Sequence, residues 1–174
     1  LAIKVFGMDV DGVLSDGGIY YGTGGMELKR FDAQDGMGIT LLLLAGIVPF
    51  IITSREGEAV KRRARELGIE EVHQGVKDKI GLLKEIIGRH GAGLDEVAYV
   101  GDDLSDLCVM IRVGLPIAVA NAREEIKREA AHVTAASGGR GAVREACELV
   151  LRKAGVLEEI LARFRDGEAT ARGL

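Results

Sequence analysis

The chain has 174 residues, 47% of them apolar, and a formal net charge of −4, which suits the core of one α/β domain and leaves too little for a second full one. Basic residues are interleaved with acidic ones, as between Lys61 and Glu66, so the basic footprint of a nucleic-acid binder is missing. No apolar run approaches the roughly 18 residues of a membrane span, and the segment from Leu1 lacks the regions of a secretory signal, so a soluble, cytoplasmic protein without membrane partners is expected.

In chain order, short apolar runs predict strands over Ile3–Met8, Pro49–Ile52, Glu71–Gln74, Val97–Val100 and Pro116–Ala120. Segments of helical period between them predict helices over Gly38–Ala45, Glu58–Leu67, Lys79–Arg89, Asp106–Val113 and Arg123–Ala130. A short strand near His132–Thr134, helices over Val143–Ala154 and Leu157–Arg165, and a loose tail over Asp166–Leu174 complete the pattern. Alternation of this kind implies an α/β fold, a parallel sheet wrapped by helices, with residues 1–165 as a single domain. The stretch Gly18–Phe31, with β-rich ends around Gly22-Thr23-Gly24-Gly25, reads as a hairpin inserted after the first strand. Its glycines mark a turn, because no G-K-[ST] follows as a phosphate loop would require.

The first strand runs into Asp9-Val10-Asp11-Gly12-Val13-Leu14-Ser15-Asp16-Gly17. Two carboxylates a residue apart at a strand end repel each other unless a cation or a shared proton relieves them. Ligands of an open parallel sheet gather beyond the carboxyl ends of its strands. At that edge the second strand supplies Thr53-Ser54-Arg55, the third is followed by Lys77-Asp78-Lys79, and the fourth ends in Gly101-Asp102-Asp103 with Asp106 beyond. These residue types suit phosphoryl transfer. One aspartate can attack phosphorus and form an acyl phosphate, and Asp11 can donate a proton to the leaving alkoxide and accept one from water. Thr53 can donate to a phosphoryl oxygen, Lys79 can place positive charge on the transferring group, and Asp102 and Asp103 can complete an oxygen site for Mg²⁺.

Each feature has a plainer reading. An EF-hand counted from Asp9 puts Val13 and Tyr20 where oxygen ligands belong, which excludes that calcium loop. Gly101-Asp102-Asp103 alone could be a helix cap, and Lys79 alone a surface lysine. Cys108 and Cys147 lie far apart without a C-x-x-C, and His73, His90 and His132 are scattered, so zinc and thiol chemistry are set aside. A receiver-type signalling domain also gathers aspartates, a threonine and a lysine, but its phospho-accepting aspartate follows a middle strand, where this chain has Thr53.

The set Asp9-x-Asp11-Gly12-Val13, Thr53, Lys79 and Gly101-Asp102-Asp103-x-x-Asp106 resembles the four motifs of the haloacid dehalogenase superfamily of phosphatases. More narrowly, the blocks Asp9–Gly17, Phe31–Ile39, Ala98–Asp103 and Gly138–Glu145 resemble the 3-deoxy-D-manno-octulosonate 8-phosphate phosphatases, enzymes of lipopolysaccharide precursor synthesis. The resemblance implies a capless Rossmann-like domain, a hairpin flap beside the site and a homotetramer in which a neighbour helps cover it. It implies Asp9 as nucleophile and metal ligand, Asp11 as acid/base with its carbonyl on Mg²⁺, Asp102 as a further metal ligand, and Asp103 and Asp106 as supports behind them. Asp11, Asp32, Ala33, Gln34, Asp35, Gly36, Thr40, Ser54, Arg55, Arg63 and Lys79 are implied to bind the phosphorylated sugar acid. Similar capless enzymes act on nonulosonate 9-phosphates, but those carry glutamate where this chain has Arg55 and Arg140. Related inactive assembly modules accompany sialic acid cytidylyltransferases. Retention of Asp9, Asp11, Lys79 and Asp102 points instead to catalysis.

Overall fold

The computed structural model describes residues 2–170. Six parallel strands, β1 (Val5–Met8), β4 (Val48–Ile52), β5 (Glu71–His73), β6 (Val97–Gly101), β7 (Leu115–Ala118) and β8 (His132–Val133), form one sheet in the order β5-β4-β1-β6-β7-β8. Every residue of β1 and β6 is buried, as in a parallel sheet covered on both faces, where strands are apolar throughout instead of alternating. Gly7 permits this at the centre, since a β-carbon there would meet the rings of Phe50 and Tyr99.

The helices are α1 (Ala33–Leu44), α2 (Glu58–Leu67), α3 (Lys79–Arg89), α4 (Leu104–Met110), α5 (Glu124–Glu129), α6 (Ala142–Ala154) and α7 (Leu157–Arg165). α1 packs on α6, and these two meet the sheet at β4 and β6. α3, α4 and α5 pack side by side, with α4 against β6 and β7. The expected hairpin is present, as β2 (Tyr20–Tyr21) paired antiparallel with β3 (Glu27–Leu28) around the turn at Thr23–Gly25. No larger insert that could act as a cap interrupts the described residues. Among them, no helix is long and apolar enough to cross a membrane.

Two helices begin two or more residues earlier than their periodicity predicts. α1 starts at Ala33, not Gly38, because the Asp32 carboxylate caps it by accepting from Gln34 N at 2.8 Å and the fully buried Asp35 is held by α6. α4 starts at Leu104, not Asp106, with Asp103 at its cap position. The predicted tail winds into one further turn, with Asp166 N donating to Ala162 O and Glu168 N to Arg163 O, and its last residues, 171–174, lie outside the described residues.

Candidate active site

Three strand ends and the start of α4 converge on one pocket of about 210 Å³, lined by Asp9, Asp11, Thr53, Ser54, Arg55, Asp102, Asp103 and Ser105. The chain leaves β1 through Asp9, whose N–H donates to Val100 O of the neighbouring strand at 3.2 Å. It then turns sharply over Val10–Leu14. Gly12 makes that turn at φ 86°, a left-handed conformation that favours glycine. A β-carbon there would also strike the Asp102 carboxylate, so the missing side chain is what lets Asp102 lie against the turn.

Lys79, at the first position of α3, has its Nζ 2.8 Å from Asp106 Oδ1 and 3.3 Å from Asp9 Oδ1, with its side chain 2% exposed. Asp106 is fully satisfied: Oδ1 also accepts from the Tyr99 hydroxyl at 2.9 Å, and Oδ2 accepts from Asp102 N at 3.0 Å. Asp9 is not. Its Oδ1 is buried, and the approach of Lys79 lies outside hydrogen-bonding geometry, so the atom has no hydrogen-bond partner. Oxygens of Asp9, Asp102 and Asp106 lie within 4.8 Å of one another, with Lys79 as the ammonium among them.

This crowding shifts the protonation equilibria. Burial, then repulsion from Asp106, raises Asp9 to about 6. The same causes in the same order raise Asp102 to about 8. Burial alone would lower the Lys79 ammonium, but Asp106 and Asp9 outweigh it and hold its pKa above the ordinary lysine value. Carboxylates that resist ionisation while one oxygen stays unpartnered mark a place where positive charge is in deficit. A divalent cation fits that deficit. Because the donors from Lys79, Tyr99 and Asp102 occupy Asp106, the carboxylates left to hold the ion are Asp9 and Asp102, and Asp106 aims them.

Asp11 lies on the outer side of the pocket, turned toward the hairpin. Its Oδ1 accepts from Lys29 Nζ at 2.5 Å, and its Oδ2 is 3.8 Å from Arg55 Nε. Lys29, just beyond β3, is 1% exposed at its side chain and also lies 3.4 Å from Glu27 Oε1. The same Glu27 oxygen accepts from Arg55 Nη2 at 3.1 Å. Arg55 Nε, like Asp9 Oδ1, is buried without a hydrogen-bond partner. Among the described residues these two atoms are the buried side-chain nitrogen and oxygen atoms in that condition, and both belong to residues of this pocket. Asp9 Oδ1 has the Lys79 ammonium 3.3 Å away but no hydrogen-bond donor, and Arg55 Nε has Asp11 Oδ2 3.8 Å away but no hydrogen-bond acceptor.

The remaining sequence candidates lie at the rim of this pocket or away from it. Asp103 caps α4, accepting from Leu104 N at 2.7 Å, at the rim of the pocket. Asp32, Ala33 and Arg63 line a separate open cavity of about 450 Å³ with Phe31, Ala59, Arg62 and Glu66. There Arg63 donates to Asp32 O at 3.4 Å and to Glu66 at 3.3 Å, and Gly36 lies close beneath its guanidinium. Gln34 is exposed. Asp35 and Thr40 are turned inward: Asp35 accepts from Arg144 N at 2.8 Å and Gly141 N at 3.4 Å, and the Thr40 hydroxyl donates to Gly36 O at 3.3 Å. The pocket and the cavity are therefore two places on this chain, and Asp35 and Thr40 face neither.

Several contributors carry no motif. Glu27 and Lys29 are separated from Asp11 by the hairpin turn, and nothing in their local pattern points to it. Asn121 donates to Gly12 O at 3.0 Å and accepts from Gly138 N at 2.7 Å, joining the Asp9–Gly12 turn to the Gly138–Gly141 loop. Gly139 N donates to Val13 O at 3.0 Å, and Arg30 donates to Gly139 O. Arg140 is exposed beside that loop. One signal could have found Asn121: it follows the fifth predicted strand by one residue, at the same carboxyl edge as the other clusters.

The comparisons agree with this geometry. Residues 66–145 match the haloacid dehalogenase-like hydrolase family. The chain is 45% identical over 157 residues to 3-deoxy-D-manno-octulosonate 8-phosphate phosphatase KdsC of Escherichia coli, spanning 90% of this chain and 84% of that protein. A crystal structure of the corresponding phosphatase from Moraxella catarrhalis, in complex with magnesium, phosphate and KDO, superposes with a TM-score of 0.91 at 44% identity, covering 94% of each chain. The cobalt-bound enzyme from Haemophilus influenzae superposes with a TM-score of 0.86 at 34% identity, covering 90% of this chain and 94% of that one. With its catalytic-edge carboxylates intact and this likeness running along most of its length, the chain belongs to the 3-deoxy-D-manno-octulosonate 8-phosphate phosphatase family of haloacid dehalogenase-like hydrolases.

Proposed function

We propose that the protein hydrolyses 3-deoxy-D-manno-octulosonate 8-phosphate to the free sugar acid and phosphate, with Mg²⁺ as cofactor, as a step in lipopolysaccharide precursor synthesis. The observation that carries this reading is the complementary pair of unpartnered atoms in one pocket, Asp9 Oδ1 and Arg55 Nε. A carboxylate oxygen without a hydrogen-bond donor, in a cluster with more carboxylates than cations, and a guanidinium Nε without an acceptor suit a metal-bound phosphate ester that also bears an anionic group.

Asp9 and Asp102, with the backbone carbonyl of Asp11, would hold Mg²⁺, which when bound neutralises phosphoryl oxygens and the facing carboxylates. An Asp9 carboxylate oxygen attacks phosphorus, and the ester P–O bond breaks with its electron pair going to the sugar oxygen. Asp11, as the carboxylic acid, gives that oxygen its proton. Water then attacks the acyl phosphate and passes a proton to Asp11, and the phosphoryl–Asp9 bond breaks to restore the carboxylate. Thr53 and Lys79 donate to the phosphoryl oxygens, and Asp106 keeps Lys79 aimed. Arg55 takes the sugar carboxylate, with Ser54 beside it at the rim. Asp32–Gly36 and Arg63 form a further sugar-acid surface, in which Asp35 and Thr40 hold the segment's shape.

We further propose that residues 1–165 act as one catalytic domain and assemble as a homotetramer in the cytoplasm. What supports assembly is the hairpin, where Ile19, Tyr20, Tyr21, Met26 and Leu28 are each about half exposed or more. Apolar side chains concentrated on one small element suit an interface between copies. Phosphate release across a panel of the octulosonate ester, a nonulosonate 9-phosphate and simple hexose phosphates tests the substrate. A kcat/KM for the octulosonate ester at least about tenfold above the others is expected, and equal values would overturn the assignment. Light scattering of the wild type and Tyr21→Glu tests the assembly, and an unchanged mass would remove the hairpin from the interface.

A further inference from the structure

We propose that Glu27, on the hairpin, is an internal competitor that expels the sugar-acid product from Arg55. The inference rests on the reading of Arg55 as the guanidinium that takes the substrate carboxylate. Glu27 Oε1 accepts from Arg55 Nη2 at 3.1 Å, so a carboxylate of this chain already occupies one arm of that guanidinium. Its hydrogen bond with Arg55, first among the causes, keeps Glu27 below the ordinary glutamate range and therefore anionic near neutral pH. A carboxylate that grips Arg55 through two parallel bonds, at Nε and Nη2, must replace it on Nη2, and the net gain from that exchange is smaller than from pairing with an open guanidinium.

Lys29 makes the exchange reversible. Its buried Nζ lies 3.4 Å from the same Glu27 oxygen and 2.5 Å from Asp11 Oδ1. A Glu27 carboxylate displaced from Arg55 keeps an ionic partner in Lys29, so it is neither stranded nor released to solvent. It stays within reach and can return to Arg55. The substrate has two anionic groups, and its phosphate anchors it while Glu27 is displaced. After hydrolysis the phosphate is no longer attached to the sugar, and the sugar acid must hold Arg55 against Glu27 with its carboxylate alone. The same exchange that costs the substrate little therefore favours departure of the product. Glu27 thereby discriminates between ester and product without touching the phosphoryl group.

The test uses p-nitrophenyl phosphate hydrolysis by the full-length protein with Mg²⁺ as a reporter, inhibited by free 3-deoxy-D-manno-octulosonate or by inorganic phosphate. Glu27→Gln, matched in size on a surface hairpin, is expected to lower the octulosonate inhibition constant by about tenfold, the worth of one charge-assisted contact. The inhibition constant for inorganic phosphate, which has no carboxylate, should change by less than about twofold on the same reasoning. Glu27→Ala, checked with its parent by thermal melting, should move both constants in the same way. An unchanged octulosonate constant in both variants overturns the proposal, as does equal tightening of octulosonate and phosphate, which would reveal only a general loss of negative charge. Arg55→Gln separates the underlying reading: if wild-type octulosonate inhibition survives that change, Arg55 does not hold the carboxylate. Failure of the octulosonate ester as substrate would appear independently, in the wild type's kcat/KM for the ester.

Discussion

The two ends of α3 carry similar chemistry to opposite effect. At its start Lys79 meets Asp9 and Asp106 with Asp102 close by, and burial and mutual repulsion raise Asp9 to about 6 and Asp102 to about 8. At its other end Arg89 grips Glu71 through two contacts of 3.0 and 2.8 Å, and His73 and His90 contribute further contacts of 2.7 and 3.1 Å. There the hydrogen bond from Arg89, above all, lowers Glu71 to about 2. Both clusters tie α3 to the sheet, but only one balances its own charge. The Glu71 cluster is complete and so stabilises the fold. The Asp9 cluster has one ammonium, Lys79, for the three carboxylates Asp9, Asp102 and Asp106, so its balance closes only when something binds.

The largest effect that sharpens this contrast is at Asp9. Asp9→Asn should lower kcat by at least about a thousandfold, as loss of a covalent nucleophile does, while leaving the melting temperature of the metal-free protein unchanged or higher because a repelling charge is gone. Phosphate release and a thermal melt check both halves, and retained turnover would break the nucleophile assignment. Next is the metal. EDTA should abolish activity, and Mg²⁺ at a hundred times its dissociation constant should restore it and stabilise the wild type by about 2.7 kcal/mol. Asp102→Asn should lose most of that stabilisation, measured by melting with and without Mg²⁺.

Glu71→Gln should do the reverse of Asp9→Asn, costing about 1–2 kcal/mol in urea unfolding with kcat intact. That figure is discounted for the partial exposure of the Arg89 side chain, 46%. Because Glu71 is lowered from 4.5 to about 2 on folding, its contribution is present above pH ~4.5 and fades as pH falls toward 2. The smallest effect is at Asp35, which burial raises to about 6 against the pull of its backbone donors. Its ionisation opposes folding, so this share of stability is fullest below pH ~4 and declines as pH rises through 6. A carboxyl ¹³C titration of Asp35 with a midpoint near 6 would bear this out, and an ordinary midpoint near 4 would contradict it.

The parallel strands and the edge clusters could be read directly, because apolar runs and strand-terminal polar residues are local signals. Thr53, Lys79 and Asp102 do gather with Asp9. The front of α1 could not be read, since Asp35, Gly36 and Gly38 are poor helix formers, and what winds them is donation from Gly141 and Arg144 more than a hundred residues along, at separations of 106 and 109. Glu27 and Lys29 were invisible for the same reason, and Asn121 offered only its place just past a predicted strand. Their roles depend on which loops the sheet order brings together. The division between the pocket and the Arg63 cavity is likewise a matter of tertiary placement, which residue type alone does not encode.

The clasp of Asn121 and the Gly138–Gly141 loop on the Gly12 turn has a consequence for the order in which the molecule is made. The carboxylate taken here as the nucleophile leaves the ribosome well before its clasp, since Asn121 follows Gly12 by 109 residues and Gly138 and Gly139 come later still. Until they arrive, the bend that directs Asp9 and Asp11 is fastened only locally, by Ser15 donating to Val10 O. A nascent chain therefore holds Asp9 and Asp11 in an unfinished turn while more than a hundred further residues are made. The closing glycines, which perform no chemistry, are the last parts needed before the site has its shape.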